Sequence, residues 1–208
     1  MSQPFDQSCK LPALGPVDQA RGQFWVGNPW QFAHTKFNLS AFERNRVFLN
    51  ARDGSFVDAS YLTGADCEGD SRGVAAGDLN NDGMVDLLVR QSGGGPLKIY
   101  LNRFPRKNFL KVTLRGIESN SLGIGARLVA EIGERRIYRE MQSPNTFWAQ
   151  SPAEVIFGLD DAARVDRLTI DWPSGCRQVV EALAANQHVE ITEQTSTYRI
   201  VSESTARR

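Results

Sequence analysis

The chain is 208 residues long, room for one large or two small domains on the usual scale of roughly 100–200 residues each. Its 24 Lys and Arg balance its 24 Asp and Glu, which gives no electrostatic case for nucleic acid or an anionic membrane as partner. No run approaches the ~18 apolar residues that a membrane helix needs, and the opening Met1-Ser2-Gln3-Pro4-Phe5-Asp6-Gln7 lacks the basic-then-apolar layout of an export signal. Cys9, Cys67 and Cys176 are widely spaced and odd in number, which fits neither a dense disulfide framework nor a CxxC metal site. Pairing of Cys9 with Cys67 stays open.

Residues 1–22 are rich in Gln, Pro, Asp and Gly without periodicity and read as an extended or poorly ordered arm. A repeat region is expected over 23–105. It begins with Phe24, Trp25, Trp30, Phe32 and Phe37, more aromatics than a solvated tail carries, so this part should pack against the adjoining repeat strands. Arg46-Val47-Phe48-Leu49-Asn50 then recurs as Lys98-Ile99-Tyr100-Leu101-Asn102, about fifty residues on, a blade-sized period. Between the copies lie a turn and strand at Gly54–Asp58, a strand at Gly73–Ala76, a loop, and a strand from Val85 to Arg90 ended by Gly93-Gly94-Gly95-Pro96.

That loop, over 78–86, carries the chemistry. It sets oxygen-bearing side chains two residues apart around a glycine: Asp78, Asn80, Asp82, then Gly83, the backbone carbonyl of Met84, and Asp86. A hard cation such as calcium takes six to eight oxygens, and the glycine permits the sharp turn. The twelfth loop position, where a helix–loop–helix site needs a bidentate acid, is Val89, which argues against an EF-hand or dockerin and for a metal clip on a β-hairpin. The same residue types also build turns that bind nothing. With so few acidic ligands, the loop would fill most readily where calcium is millimolar, outside the cytosol.

After Pro105 the texture changes to short strands with turn signals between them: Phe109–Leu114, Ala126–Ile132, Arg135–Met141, Ala153–Phe157, Arg164–Trp172, Gln178–Ala182 and His188–Thr192. Asp160–Ala163 is expected to make one helical turn. Seven strands at this spacing predict a small antiparallel β-sandwich or barrel over 106–194. Residues 195–208 turn polar and read as a C-terminal tail. The fold class is therefore all-β, partial β-propeller blade or blades followed by the sandwich.

Ser71-Arg72-Gly73-Val74-Ala75-Ala76-Gly77-Asp78-Leu79-Asn80-Asn81-Asp82-Gly83 resembles the FG-GAP/VCBS repeat, the calcium-clipped blade of integrin-α-like propellers. The second half is similar to the ASPIC/UnbV domain over roughly 108–193. The match rests on Ser119-Asn120 with Gly123-Ile124-Gly125-Ala126-Arg127, on Trp148-Ala149-Gln150-Ser151, on Phe157-Gly158-Leu159, on Trp172-Pro173-Ser174-Gly175, and on Asn186-Gln187. Asp160 stands where relatives often have glycine. The resemblance implies calcium on the repeat, an extracellular or periplasmic location, and a binding or adhesive role toward a protein or glycan. Relatives carry several blades and usually an export signal, and a closed propeller needs at least about four blades. Either this is the C-terminal piece of a longer protein, with the sandwich a structural cap, or the blade strands pair elsewhere. Open blade edges would then favour self-association.

No enzyme is expected. His34 and His188 have no partner histidine at ligand spacing, and no GxSxG, HExxH, Walker or dinucleotide fingerprint occurs. Glu118, Glu140, Asp160 and Asp161 are scattered carboxylates that read as surface solvation rather than as a glycosidase pair.

Overall fold

The protein, here a computed structural model, is described over residues 44–51, 53–67, 71–91, 96–142, 145–146 and 149–203. The expected arm at 1–22, the aromatic segment from Phe24 to Ala41, and Cys9, His34 and Trp148 lie outside these. All regular structure among the described residues is β, in fifteen strands. The chain forms two compact units, one of residues 1–71 with 91–95, the other of residues 72–90 with 96–208.

In the first unit β1 (Phe48–Asn50) pairs antiparallel with β2 (Phe56–Asp58), with Leu49 opposite Val57. Phe48, Phe56 and Val57 are all exposed. The Ser60 hydroxyl accepts the Val47 amide at 2.8 Å, and the Cys67 thiol accepts the Asn45 side-chain amide at 3.0 Å.

The second unit opens with a three-stranded sheet in the order β3 (Ser71–Gly77), β4 (Asp86–Gln91), β5 (Lys98–Tyr100). The 78–86 loop joins neighbouring strands β3 and β4, the expected hairpin. The echo of Arg46–Asn50 in Lys98–Asn102 falls on β1 and β5, each an outer strand of its sheet.

Two four-stranded sheets complete the unit. One has the order β11 (Val155–Asp160), β6 (Asn108–Arg115), β14 (Gln187–Thr192), β15 (Tyr198–Glu203), and the other β13 (Arg177–Ala184), β12 (Arg164–Asp171), β7 (Arg127–Ile132), β8 (Arg135–Glu140). A two-residue ladder, β9 (Asn145–Thr146) with β10 (Ala149–Gln150), lies between β8 and β11 in the chain. Alternation along the strands sends one row of each sheet inward: Leu110, Val112 and Leu114 from β6, Phe157 and Leu159 from β11, Val189 and Ile191 from β14. They meet Leu128 and Ala130 of β7, Val165, Leu168 and Ile170 of β12, and Val180 and Leu183 of β13 in one core. Gly133, at φ 57°, supplies the left-handed turn that lets Ile132 pair directly with Arg135 across the β7–β8 hairpin.

Three expectations are corrected. The sandwich is not wholly antiparallel, because β6 and β14 pair in parallel, Val112 opposite Val189, bringing its first and last expected strands together at the centre of one sheet. Asp160–Ala163 is a tight turn, with Asp160 at φ 54°, not a helical turn. Beyond Gln194 the chain is not a simple tail: Tyr198–Glu203 forms β15, whose backbone groups complete the ladder with β14. Tyr198 packs against the core while Ile200 and Val201 stay exposed, and the polar run at 194–197 just ahead of the strand masks it in the sequence.

Candidate functional site

The 78–86 loop is wound around its own carboxylates. Asp78 accepts the Asp82 amide through Oδ1 at 3.0 Å and the Gly83 amide through Oδ2 at 3.1 Å. Asn80 Oδ1 takes the Asp82 amide at 3.2 Å, and Asp82 Oδ1 takes the Met84 amide at 2.9 Å. Asp86 is fully buried and ties its own end of the loop both to the loop's start, with Oδ2 accepting Leu79 N at 2.9 Å, and to the segment after β5, with Oδ1 accepting Asn102 N at 2.7 Å. The chain reverses at Asn81 (φ 56°) and Gly83 (φ 85°), where a β-carbon on Gly83 would fall 2.0 Å from the Phe109 ring.

Phe109 belongs to β6, on the strand face opposite Leu110 and Val112. From the same face Lys111 reaches the loop, its Nζ 2.9 Å from Asp78 Oδ2. The pair is buried, with side chains 5% and 1% exposed. The loop is thus docked on the sandwich by an aromatic ring, a buried ion pair, and a hydrogen bond from Ala76 N to Ser151 Oγ at 2.9 Å. Beside Lys111 on β14, His188 lies 3.2 Å from the Thr113 hydroxyl; burial first, then the Lys111 charge, hold its imidazole below the usual range.

The five predicted ligands fare unequally. Asp78 and Asn80 meet at the Asp82 amide and Asp82 caps the Met84 amide, whereas Asp86 is committed at both oxygens to the amides of Leu79 and Asn102. Among the described residues, no three Asp, Glu, His or Cys side chains converge in an arrangement that could hold a metal. The donor chemistry nonetheless suits a hard cation: Asp78 Oδ1, Asn80 Oδ1 and Asp82 Oδ1 each accept one N–H and keep a second lone pair. Asp78 Oδ2, already shared by Gly83 N and Lys111, has none to spare.

Beside the loop opens a cleft of about 330 Å³, with Asn80 and Asp82 on one wall and Arg103, Phe104 and Arg106 on the other. Arg106 lies 3.5 Å from Asp82 Oδ2.

Residues 37–89 match the FG-GAP-like repeat family, and residues 116–198 match the family described as ASPIC and UnbV. The chain carries an FG-GAP-like repeat followed by an ASPIC/UnbV domain. A stretch of 58 residues is 45% identical to Cartilage acidic protein 1 of Homo sapiens, covering 27% of this chain and 9% of that protein. The two domains together indicate a β-rich binding module of extracellular type. No helix among the described residues is long and apolar enough to cross a membrane.

Inside the ASPIC/UnbV domain the motif residues meet at one side chain that sequence reading passed over, Glu193. It is wholly buried. Oε2 accepts the amides of Ile117, Glu118 and Ser119 at 2.7, 2.8 and 2.8 Å, and Oε1 accepts the hydroxyls of Ser119 and Ser174 at 2.8 and 2.6 Å. Burial opposes ionisation, yet the bonds from Ser174, Ser119 and Ile117 outweigh it and bring the carboxyl from 4.5 down to about 2. Asn120 clamps the Ile124 peptide from both sides at 2.8 Å, and the Trp172 indole donates to Gln178 at 2.9 Å. Asn186 ties β14 to β6 by donating its backbone N–H to Phe109 O at 2.7 Å. These motifs are the fasteners of the domain. Glu193 follows an alternating strand like many solvated acids, so nothing in its spacing marks it. Lys111 was equally hidden, since a lysine on the outward row of a strand normally faces water.

Proposed function

We propose that this chain is a non-catalytic, calcium-binding β module of the extracellular or periplasmic space, which binds a protein or glycan through the surface around the repeat loop. The observation that carries it is the donor set of the loop: Asp78 Oδ1 and Asn80 Oδ1 share the Asp82 amide, Asp82 Oδ1 accepts the Met84 amide, and each oxygen keeps a lone pair to spare. The Met84 carbonyl would complete the set from the backbone, and Asp86 would act by fixing the loop ends. Calcium there supplies rigidity. At a hundredfold excess over Kd it stabilises the loaded state by about 2.7 kcal/mol.

The cleft beside the loop is the natural place for the ligand, its two guanidinium groups and the half-exposed Phe104 ring matching an acidic group on an apolar or sugar face. Calorimetry with calcium chloride tests the first half: uptake by the wild type that is weakened at least tenfold in Asp82→Ala supports it, and no uptake, or uptake unchanged in that variant, removes it. Immobilised hexuronate oligomers and acidic peptides test the second half, with binding lost in Arg103→Glu as the expected result.

A second reading is favoured by β5, which stands at the edge of its sheet with Leu97, Ile99 and Leu101 exposed. Such an edge accepts another strand. On this reading the sandwich caps a longer propeller and has no ligand of its own, or the blade edge pairs with a second copy. In-frame FG-GAP-like loops upstream in the genome would favour the cap, and a concentration-dependent dimer would favour self-pairing.

A further inference from the structure

We propose that Lys111 is an affinity-setting residue of the repeat loop, a tethered cation that shares Asp78 with the divalent ion and holds that ion to weak binding; this rests on the calcium reading above. The loop's first carboxylate is the ligand candidate that the sandwich also claims with a buried charge. Asp78 gives Oδ1 to the loop interior and Oδ2 to the ammonium at 2.9 Å. The oxygens of one carboxylate lie about 2.2 Å apart, so a cation on Oδ1 stands within a few ångströms of Nζ. Two features make this repulsion matter. With both side chains almost wholly buried, water screens the charges poorly. Lys111 is also fixed on a central strand, β6, between β11 and β14, and cannot retreat as a surface lysine would.

Arg106 provides the internal contrast. It touches Asp82 at 3.5 Å, but its side chain is 61% exposed, so it can swing into solvent when a metal arrives. Lys111 therefore does two things that Arg106 does not. It neutralises part of the loop when no metal is present, keeping the hairpin docked on the sandwich, and it raises the calcium concentration at which the loop fills. The loop becomes a site tuned to the high calcium of the extracellular fluid, and its docking survives where calcium is scarce.

The test is calcium calorimetry on the full chain for the wild type, Lys111→Gln and Lys111→Arg. Lys111→Gln keeps a hydrogen-bond donor for Asp78 but removes the charge, and it should bind calcium at least ~tenfold more tightly, the effect of one poorly screened unit charge a few ångströms from a divalent ion. Lys111→Arg should stay within about threefold of the wild type, since the charge is retained. Equal or weaker binding by Lys111→Gln, alongside clear uptake by the wild type, overturns this inference and leaves the calcium reading intact. No uptake by any variant overturns both. Should Lys111→Gln and the second neutral variant, Lys111→Met, lose their structure in chelator, recovery of the β spectrum by circular dichroism at calcium below the wild-type half-saturation supports the proposal, and recovery only at or above it, or none in about 10 mM calcium, overturns it.

Discussion

Replacing Gly83 by alanine tests the docking of the repeat loop on the ASPIC/UnbV domain. Gly83 has φ 85°, and the added carbon would lie 2.0 Å from Phe109 Cε1 and 2.1 Å from Cδ1, inside contact distance of a ring on a central strand. The left-handed backbone costs a residue with a side chain roughly 1–2 kcal/mol. Overpacking a filled site costs roughly 1–3 kcal/mol more, giving about 2–5 kcal/mol in all. Equilibrium urea unfolding, followed by tryptophan fluorescence and circular dichroism together, should show the midpoint fall accordingly. A Gly83→Ala/Phe109→Ala double mutant separates the two causes. Removing the ring abolishes the overlap and leaves the backbone strain, so the cycle should show a favourable coupling of about 1 kcal/mol or more. A Gly83→Ala unfolding free energy within about 0.5 kcal/mol of the wild type would refute the packing of the loop on β6.

The remaining predictions concern the sandwich and its fasteners. Because the Glu193 carboxyl is held at about 2 in the fold against an ordinary 4.5, its stabilisation is complete above pH 4.5 and is lost as pH falls toward 2. Glu193→Gln should therefore flatten the acid limb of a stability profile between those values, and an unchanged limb would count against the five-bond cage. Phe157→Ala empties the centre of the core at a fully buried position and should cost about 3–5 kcal/mol in urea unfolding. Ser151→Ala leaves the Ala76 amide without its acceptor and should cost about 1–2 kcal/mol, with faster hydrogen exchange confined to the end of β3.

Much of this architecture can be read from the chain because period-two alternation is a local signal. Phe109–Leu114, Ala126–Ile132 and Arg164–Trp172 each announce a buried row, and their strands fall within a residue or two of those bounds. The loop is legible for the same reason, its side chains and glycine being close in sequence. What escaped was non-local. The parallel pairing of β6 with β14 joins residues more than seventy positions apart, and no pattern within either strand encodes it. Lys111 and Glu193 look like solvated charges on alternating strands, and only the tertiary fold buries one on Asp78 and wraps the other in amides. The polar run at 194–197 concealed β15, from which Tyr198 alone packs on the core. As compact units, too, the chain parts differently from its textures: residues 72–90 go with the sandwich although their sequence belongs to the repeat.

The most direct measurement is a calcium titration of the backbone amides of Leu79, Asp82, Gly83 and Met84 by nitrogen–proton correlation spectra. These four amides donate to the Asp86, Asp78, Asn80 and Asp82 oxygens, so a cation entering the loop must perturb them together. Calcium binding in the loop predicts saturable shifts at all four, with the amides of Leu168 and Ile170 in the distant sheet unmoved. Spectra in which the four loop amides stay still in millimolar calcium, or move no more than those of β12, would contradict it.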